Sequence, residues 1–243
     1  MTTLVRITIA LVLALLVSSC GFDINIGDFG RGEQGNGTVV EQTREVTEDF
    51  TIVAASEGLD VYVTQGPNFD ISVEADENII DLIGTDIKNG KLKIHAIENI
   101  GRATKKVYVT LPNVEGLYAS SGSQLTAETK IVSDKLEIDA SSGALVEATV
   151  EASSMEIDGS SGANIELSGY AQDVYVDGSS GANIKAKDLM TKECNADASS
   201  GANVSIHVSD NLTADASRGG NISYKAEPSV QKNKSVSGSV HKY

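Results

Sequence analysis

From Thr38 onward the chain alternates apolar and polar residues in short runs, which is the periodicity of β-strands rather than of helices. The segment from Met155 to Asp173, MEIDGSSGANIELSGYAQD, sets the pattern. Met155, Ile157 and Gly159 alternate with Glu156 and Asp158, Ser160-Ser161-Gly162 interrupts, and Ile165 and Leu167 then alternate around Glu166. Ser168-Gly169 turns once more before the next run at Val174. The interruption recurs as Ser120-Ser121-Gly122, Ser141-Ser142-Gly143, Ser179-Ser180-Gly181 and Ser199-Ser200-Gly201, then as Ser217-Arg218-Gly219 and a worn Val236-Ser237-Gly238. Successive glycines are 21, 19, 19, 20, 18 and 19 residues apart. A fixed period of that length belongs to solenoid coils. At ~3.3 Å per residue a coil has a perimeter of roughly 60–65 Å, enough for short strands on two or three sides. The prediction is an all-β fold: a right-handed parallel β-helix with coils of about 20 residues, preceded by a less regular β-rich half.

The period assigns residues to columns. Leu136, Met155, Val174, Cys194 and Leu212 should point inward one above another, as should Ile138, Ile157, Val176, Ala196 and Ala214. Cys194 is thereby read as a core residue. Asp139, Asp158, Asp177, Asp197 and Asp215 form a polar column just before each turn. Stacked carboxylates repel, so they need compensation. Either each caps the backbone of the following turn, as Asx-turns do, or the column binds Ca²⁺, which favours carboxylate and carbonyl oxygens. The dense glycine-aspartate nonapeptide of calcium β-rolls is absent, and no cofactor is otherwise implied. Asn164, Asn183, Asn203 and Asn221 follow the turns and are read as a structural amide ladder. The serine columns either satisfy turn backbone or present hydroxyls to a sugar.

Upstream, strand signals recur at Thr38–Val40, Phe50–Ala54, Leu59–Thr64, Phe69–Ala75, Lys91–Ala96 and Val107–Leu111 without the tight repeat. Asp76 to Ile83 suits a short helical turn with Ile79, Ile80 and Ile83 facing the core. Residues 38–115 are therefore either irregular leading coils or a β-rich cap, and residues 116–243 are the coils with a C-terminal cap. Arg218 breaks the serine column where the stack ends; Lys225, Lys232, Lys234 and Lys242 follow it and read as an end cap rather than as a polyanion site.

The first residues add an address. Arg6 and the apolar run Ile7–Val17 form a signal-peptide pattern, too short to span a bilayer. Val17-Ser18-Ser19-Cys20 has the small residues that a lipoprotein signal peptidase needs, which makes residues 1–19 the signal peptide and Cys20 the lipid attachment site. Residues 20–37, rich in Gly, Asp and Asn, read as a tether. Gly21 rather than Asp after the cysteine favours the outer membrane over the inner one. The chain of 243 residues carries a formal charge of −15, which argues against nucleic acid and anionic headgroups as partners. With Cys20 acylated only Cys194 remains, so no internal disulfide can form. Aromatic residues are 5% and Trp is absent, as suits a narrow solenoid interior.

The order GNGTVVEQTREVTEDFTIV, GLDVYVTQG, DISVEADENIIDLIGTDIKNGKLKI and VYVTLPNVEGLYASSGSQL resembles the head GIN domain family of adhesin-like lipoproteins common in Bacteroidetes. The likeness spans about residues 36–225. It implies a β-helix-like fold and a cell-envelope setting, and brings no catalytic residues. The expected function is a lipid-anchored envelope protein that contacts glycans or surfaces in the manner of an adhesin. The alternative is a structural or regulatory component that binds a partner protein. A polysaccharide-active enzyme would need an acid–base cluster that breaks the columns, yet the columns stay regular. His95, His207 and His241 lie at no ligand spacing, and His207 is expected to face outward.

Overall fold

The computed structural model describes residues 32–233 and 237–243. In chain order the strands are β1 (Val39–Thr43), β2 (Ile52–Ala55), β3 (Asp60–Gln65), β4 (Asp70–Asp76), β5 (Ile83–Lys88), β6 (Lys91–Ala96), β7 (Lys105–Leu111), β8 (Gly116–Ala119) and β9 (Gln124–Ala127). They continue as β10 (Ile131–Ala140), β11 (Leu145–Gly159), β12 (Asn164–Gly178), β13 (Asn183–Ala198), β14 (Asn203–Ala216), β15 (Asn221–Lys225), β16 (Ser229–Lys232) and β17 (Ser239–Lys242). All seventeen belong to one hydrogen-bonded system. The expected helical turn is a single 3₁₀ turn, Ile80–Leu82, with Ile79, Ile80 and Ile83 buried as anticipated.

The long strands β10 to β14 stack in parallel, one per coil. Both inward columns are observed in register: Leu136, Met155, Val174, Cys194, Leu212, and Ile138, Ile157, Val176, Ala196, Ala214. Every member is at least 94% buried. Covering an aliphatic side chain is worth about 1.5–3 kcal/mol, so each coil draws its stability from the coils above and below. A third inward column, Ala119, Ala140, Gly159, Gly178, Ala198 and Ala216, is kept small by what lies across the narrow interior. A Cβ on Gly159 would stand 3.1 Å from Ile184, and one on Gly178 would stand 3.0 Å from Val204. In β13 the inward alternation resets at Lys187–Asp188 and again at Lys192–Glu193, where two neighbours in succession face solvent. With the Ser-Ser-Gly turn this divides the coil into three stretches.

Each Ser-Ser-Gly corner is a tight turn with two successive residues at positive φ. In Ser141-Ser142-Gly143, Ser142 has φ 51° and Gly143 has φ 73°. The glycine adopts this conformation freely, whereas the serine gives up about 1–2 kcal/mol. Backbone hydrogen bonds offset that cost, each worth about 0.5–1.5 kcal/mol net. Ala144 N–H donates to Ser141 O (3.1 Å), Gly143 N–H to Ser161 O of the next coil (3.1 Å) and Ser141 N–H to Ala119 O of the previous one (3.0 Å). The corner is thus a backbone ladder, and its side chains are free to vary. Arg218 (φ 46°) occupies the same tip position as the serines, and so does Glu57 (φ 61°).

That last turn was not apparent in the repeat. Ser56-Glu57-Gly58 joins β2 to β3 and stacks on Ser120-Ser121-Gly122, with Gly58 N–H donating to Ser121 O at 3.0 Å. β2 pairs in parallel with β8, and β3 with β9. A regular coil therefore precedes the first Ser-Ser-Gly. The chain then detours: β6 pairs in parallel with the other edge of β2, and β7 with the other edge of β3. Spatial order along the stack differs here from chain order. β4 runs antiparallel to β7, β1 antiparallel to β4, and β5 antiparallel to β6, so the parallel ladders end in antiparallel strands. Phe50, Ile79, Leu92 and Ile94 fill the interior beneath this cap.

At the opposite end β16 lies on β14 and β17 on β15. Val230 and Val240 extend the inward columns and are half-buried. The other inward column ends differently: the residue in register with Ala214 is Lys232. Its ammonium reaches across the coil to the Val240 carbonyl (2.8 Å) and lies 5.8 Å from the centre of the Tyr224 ring.

Candidate functional site

The strand register places Asp139, Asp158, Asp177, Asp197 and Asp215 in one outward column, with Glu137, Glu156, Tyr175, Asn195 and Thr213 in the column beside it. Neighbouring coils lie ~4.8 Å apart, close enough for carboxylates to disfavour one another's ionisation. Asp158 is pushed up to about 6, first by partial burial and then by Glu156, Asp177, Asp139 and Glu137. Asp139 and Asp197 are raised as well, again chiefly by burial. The expectation that these aspartates cap the turns is corrected: the turn N–H groups donate to backbone carbonyls, as described above. The side-chain bond seen in the column is from the Tyr175 hydroxyl to Asp197 Oδ2, at 3.2 Å. Tyr118, in register with Asp139, heads the column; Lys91 lies 4.4 Å from its ring centre. Its phenol is pushed up to about 12, by burial first and by Glu137 next. Among the described residues no three His, Cys, Asp or Glu side chains converge as a metal site.

The asparagines stand in register as Asn164, Asn183, Asn203 and Asn221. The amide ladder is partial. Asn183 Nδ2 donates to Asn164 Oδ1 at 3.4 Å, while Asn164 and Asn203 turn back to the carbonyls of Gly162 and Gly201, each at 3.5 Å. The Asn221 side-chain oxygen is buried without a partner among the described residues. What holds this edge of the corner is the backbone, for example Asn183 N–H to Ala163 O at 2.9 Å.

Cys194 is buried between Val174 and Leu212, and burial pushes its thiol up to about 12. A thiol so raised is not a nucleophile at neutral pH. Cys20 lies outside the described residues. The histidines are dispersed. His95 Nε2 meets Asp86 Oδ2 at 2.6 Å in the cap, and His207 on β14 has a lowered pKa because of burial and the nearby Lys225. His241 lies on β17.

Two open grooves flank the corner at Ser153–Ser154. One, of about 470 Å³, lies on the carboxylate side and is lined by Ser154, Glu156, Tyr175, Glu193, Asn195 and Asn211, among others. The second, of about 620 Å³, is lined by Asn113, Ser133, Asp134, Glu151, Tyr170 and Gln172, among others. Sequence reasoning missed Tyr170. The signal was weak, because Tyr170 directly follows the Ser168-Gly169 bend and only the register shows what stands beside it.

A stack of parallel coils with laddered corners defines a β-solenoid. The chain belongs to the family described as "putative auto-transporter adhesin, head GIN domain", which matches residues 49–228. Similar solved structures are a putative adhesin of Bacteroides fragilis (TM-score 0.76, 19% identity, 87% of this chain and 100% of that one) and one of Parabacteroides merdae (TM-score 0.69, 21% identity, 87% and 98%). A putative lipid binding protein of Parabacteroides distasonis shares the fold at TM-score 0.62 and 20% identity, over 87% and 99% of the two chains. No curated protein matches the sequence.

Proposed function

We propose that this protein is a lipid-anchored adhesin of the cell envelope, attached through Cys20 to the outer membrane, and that its coils present a non-catalytic contact surface to glycans. The observation that carries this reading is the pair of open grooves on adjacent faces, each combining an exposed tyrosine with carboxylate and amide side chains. Sugar recognition draws on that chemistry: an aromatic face for the apolar side of a ring, and planar polar groups for its hydroxyls. Family membership supports the adhesin class. The signal-peptide pattern and the Val17-Ser18-Ser19-Cys20 sequence support the anchor. The dispersed histidines and the buried thiol support a binding role over a catalytic one.

Two measurements test the reading. The full chain is expected to bind members of a glycan array in a salt-tolerant manner, since hydrogen bonds and stacking would carry the contact. A blank array, together with capture of one envelope protein by the purified chain, would replace the glycan reading by a protein-partner role. Radiolabelled palmitate is expected to label the wild type and not Cys20→Ala; equal labelling of both would reject the anchor.

A further inference from the structure

We propose that the groove beside Tyr170 is a subsite for a neutral oligosaccharide; the assignment rests on the glycan reading above and gives it a location. Seven large hydrophobic side chains among the described residues are exposed. Single exposed apolar residues are ordinary and need no explanation. Three of these seven, however, stand in one register column. Val132 aligns with Glu151, Glu151 with Tyr170, and Tyr170 with Met190. Val132 is 52% exposed, Tyr170 37% and Met190 54%. Four coils ~4.8 Å apart make a strip roughly 14 Å long, the reach of a short oligosaccharide rather than of one sugar. A strip one side chain wide is too narrow for the core of a protein interface, which needs ~800 Å² on each partner.

The walls supply what sugar hydroxyls need. Asp134 accepts hydrogen bonds, and Asn113 and Gln172 both donate and accept. Ser133 and Ser153 line the same groove. Among the described residues nothing hydrogen-bonds to the Asn113 amide or to the Tyr170 hydroxyl, so both are open to a ligand. The walls hold Glu115, Asp134 and Glu151 against Lys135, and Lys130 from outside the groove pairs with Glu151 at 2.5 Å, so no cation is in excess to attract an acidic ligand. The neighbouring face, with its stacked aspartates, would repel an acidic polymer, and this groove offers it no surplus of positive charge. An exposed tyrosine in a column with two other exposed apolar side chains, flanked by polar groups and no surplus of cations, fits a neutral glycan.

The test uses the full chain in mild detergent, first on an array of neutral and acidic oligosaccharides and then by calorimetric titration with the best neutral hit. Tyr170→Ala is expected to weaken that binding at least tenfold, Asn113→Ala about threefold, and Tyr175→Ala on the neighbouring face less than twofold. All three residues are at the surface, and a melting curve checks each variant; if Tyr170→Ala fails to fold, Asn113→Ala carries the test. Neutral hits that bind Tyr170→Ala and Asn113→Ala as well as wild type would overturn the groove while leaving the glycan reading in place. Hits confined to acidic glycans would overturn the neutral assignment. A blank array would overturn both.

Discussion

At one end of the solenoid the parallel ladders run into β1, β4 and β5, antiparallel strands whose Ile71, Val73 and Ile83 join Phe50, Ile79, Leu92 and Ile94 in a hydrophobic layer. At the other end they run into β16 and β17, four residues each, with Val230 and Val240 half-buried. There a charge takes over the work of a cap. Lys232 stands in register with the column that is apolar in every earlier coil, is itself exposed, and bonds through its ammonium to Val240 O. Open sheet edges template further pairing, and a charged side chain at the edge, lysine especially, is one of the means that prevent it. The difference teaches that a stack can be ended either by burying its last edge or by making the next layer unfavourable. The first route takes about fifty residues of inserted chain, the second a single side chain.

The largest effect should come from the cap's hydrophobic layer. Leu92→Ala is expected to destabilise by about 3 kcal/mol, as buried Leu→Ala changes do, whereas Cys194→Ala in the narrow coils should cost about 1 kcal/mol. Urea unfolding compares them, and equal losses would mean the cap is no more than another coil. Next come the bends. A Cβ on Gly169 (φ 108°) would lie 2.1 Å from Val150 O, while one on Gly143 (φ 73°) meets nothing within 4 Å. Gly169→Ala should therefore cost about 2–3 kcal/mol and Gly143→Ala about 1 kcal/mol. A matching pair of melting temperatures would contradict the contact.

Lys232→Val should leave the melting temperature within a few degrees but remove the charge from the open end. Light scattering after gel filtration is expected to show larger species that grow with concentration. Unchanged mass up to high concentration would show that Val230, Val240 and the short strands suffice to end the stack. The smallest effect concerns the aspartate column. The folded pKa of Asp158, about 6, lies above the unfolded value near 3.8, so the folded state binds the proton more tightly. Stability should therefore rise as pH falls from 7 through 6 towards 4, with Asp139 and Asp197 acting in the same direction. Because these carboxylates are partly solvated, Asp158→Asn should stabilise at pH 7 by no more than about 1 kcal/mol and flatten the profile. Stability that falls between pH 7 and pH 5 with an unchanged slope in the variant would reverse this account.

Much of the coil region could be read along the chain. A residue such as Cys194 takes its environment from Val174 and Leu212, one period away on either side, so spacing alone identifies it as core. Positive φ at the turn glycines follows in the same way. The turn's other left-handed residue was harder to anticipate, because the tip accepts serine, arginine or glutamate alike once the backbone ladder supports it; Ser56-Glu57-Gly58 was missed for that reason. The aspartates were misjudged because an Asx-turn is a local device, and here the carbonyl of the neighbouring coil reaches the N–H first. Tyr170 was overlooked because its partners, Val132 and Met190, become a strip only when register shifts in β13 are known.

Sequence alone determined the period, the inward columns and the corners of this protein, because in a solenoid every side chain meets residues a fixed distance away along the chain. Tertiary structure decided the rest. The pairing of β6 beneath β2 and β7 beneath β3 joins segments with no periodic relation, and only burial of the cap's hydrophobic layer selects it. The groove at Tyr170 depends on which outward side chains align after the bulges, and the bond from Lys232 to Val240 O depends on the fold bringing β16 and β17 within reach of each other.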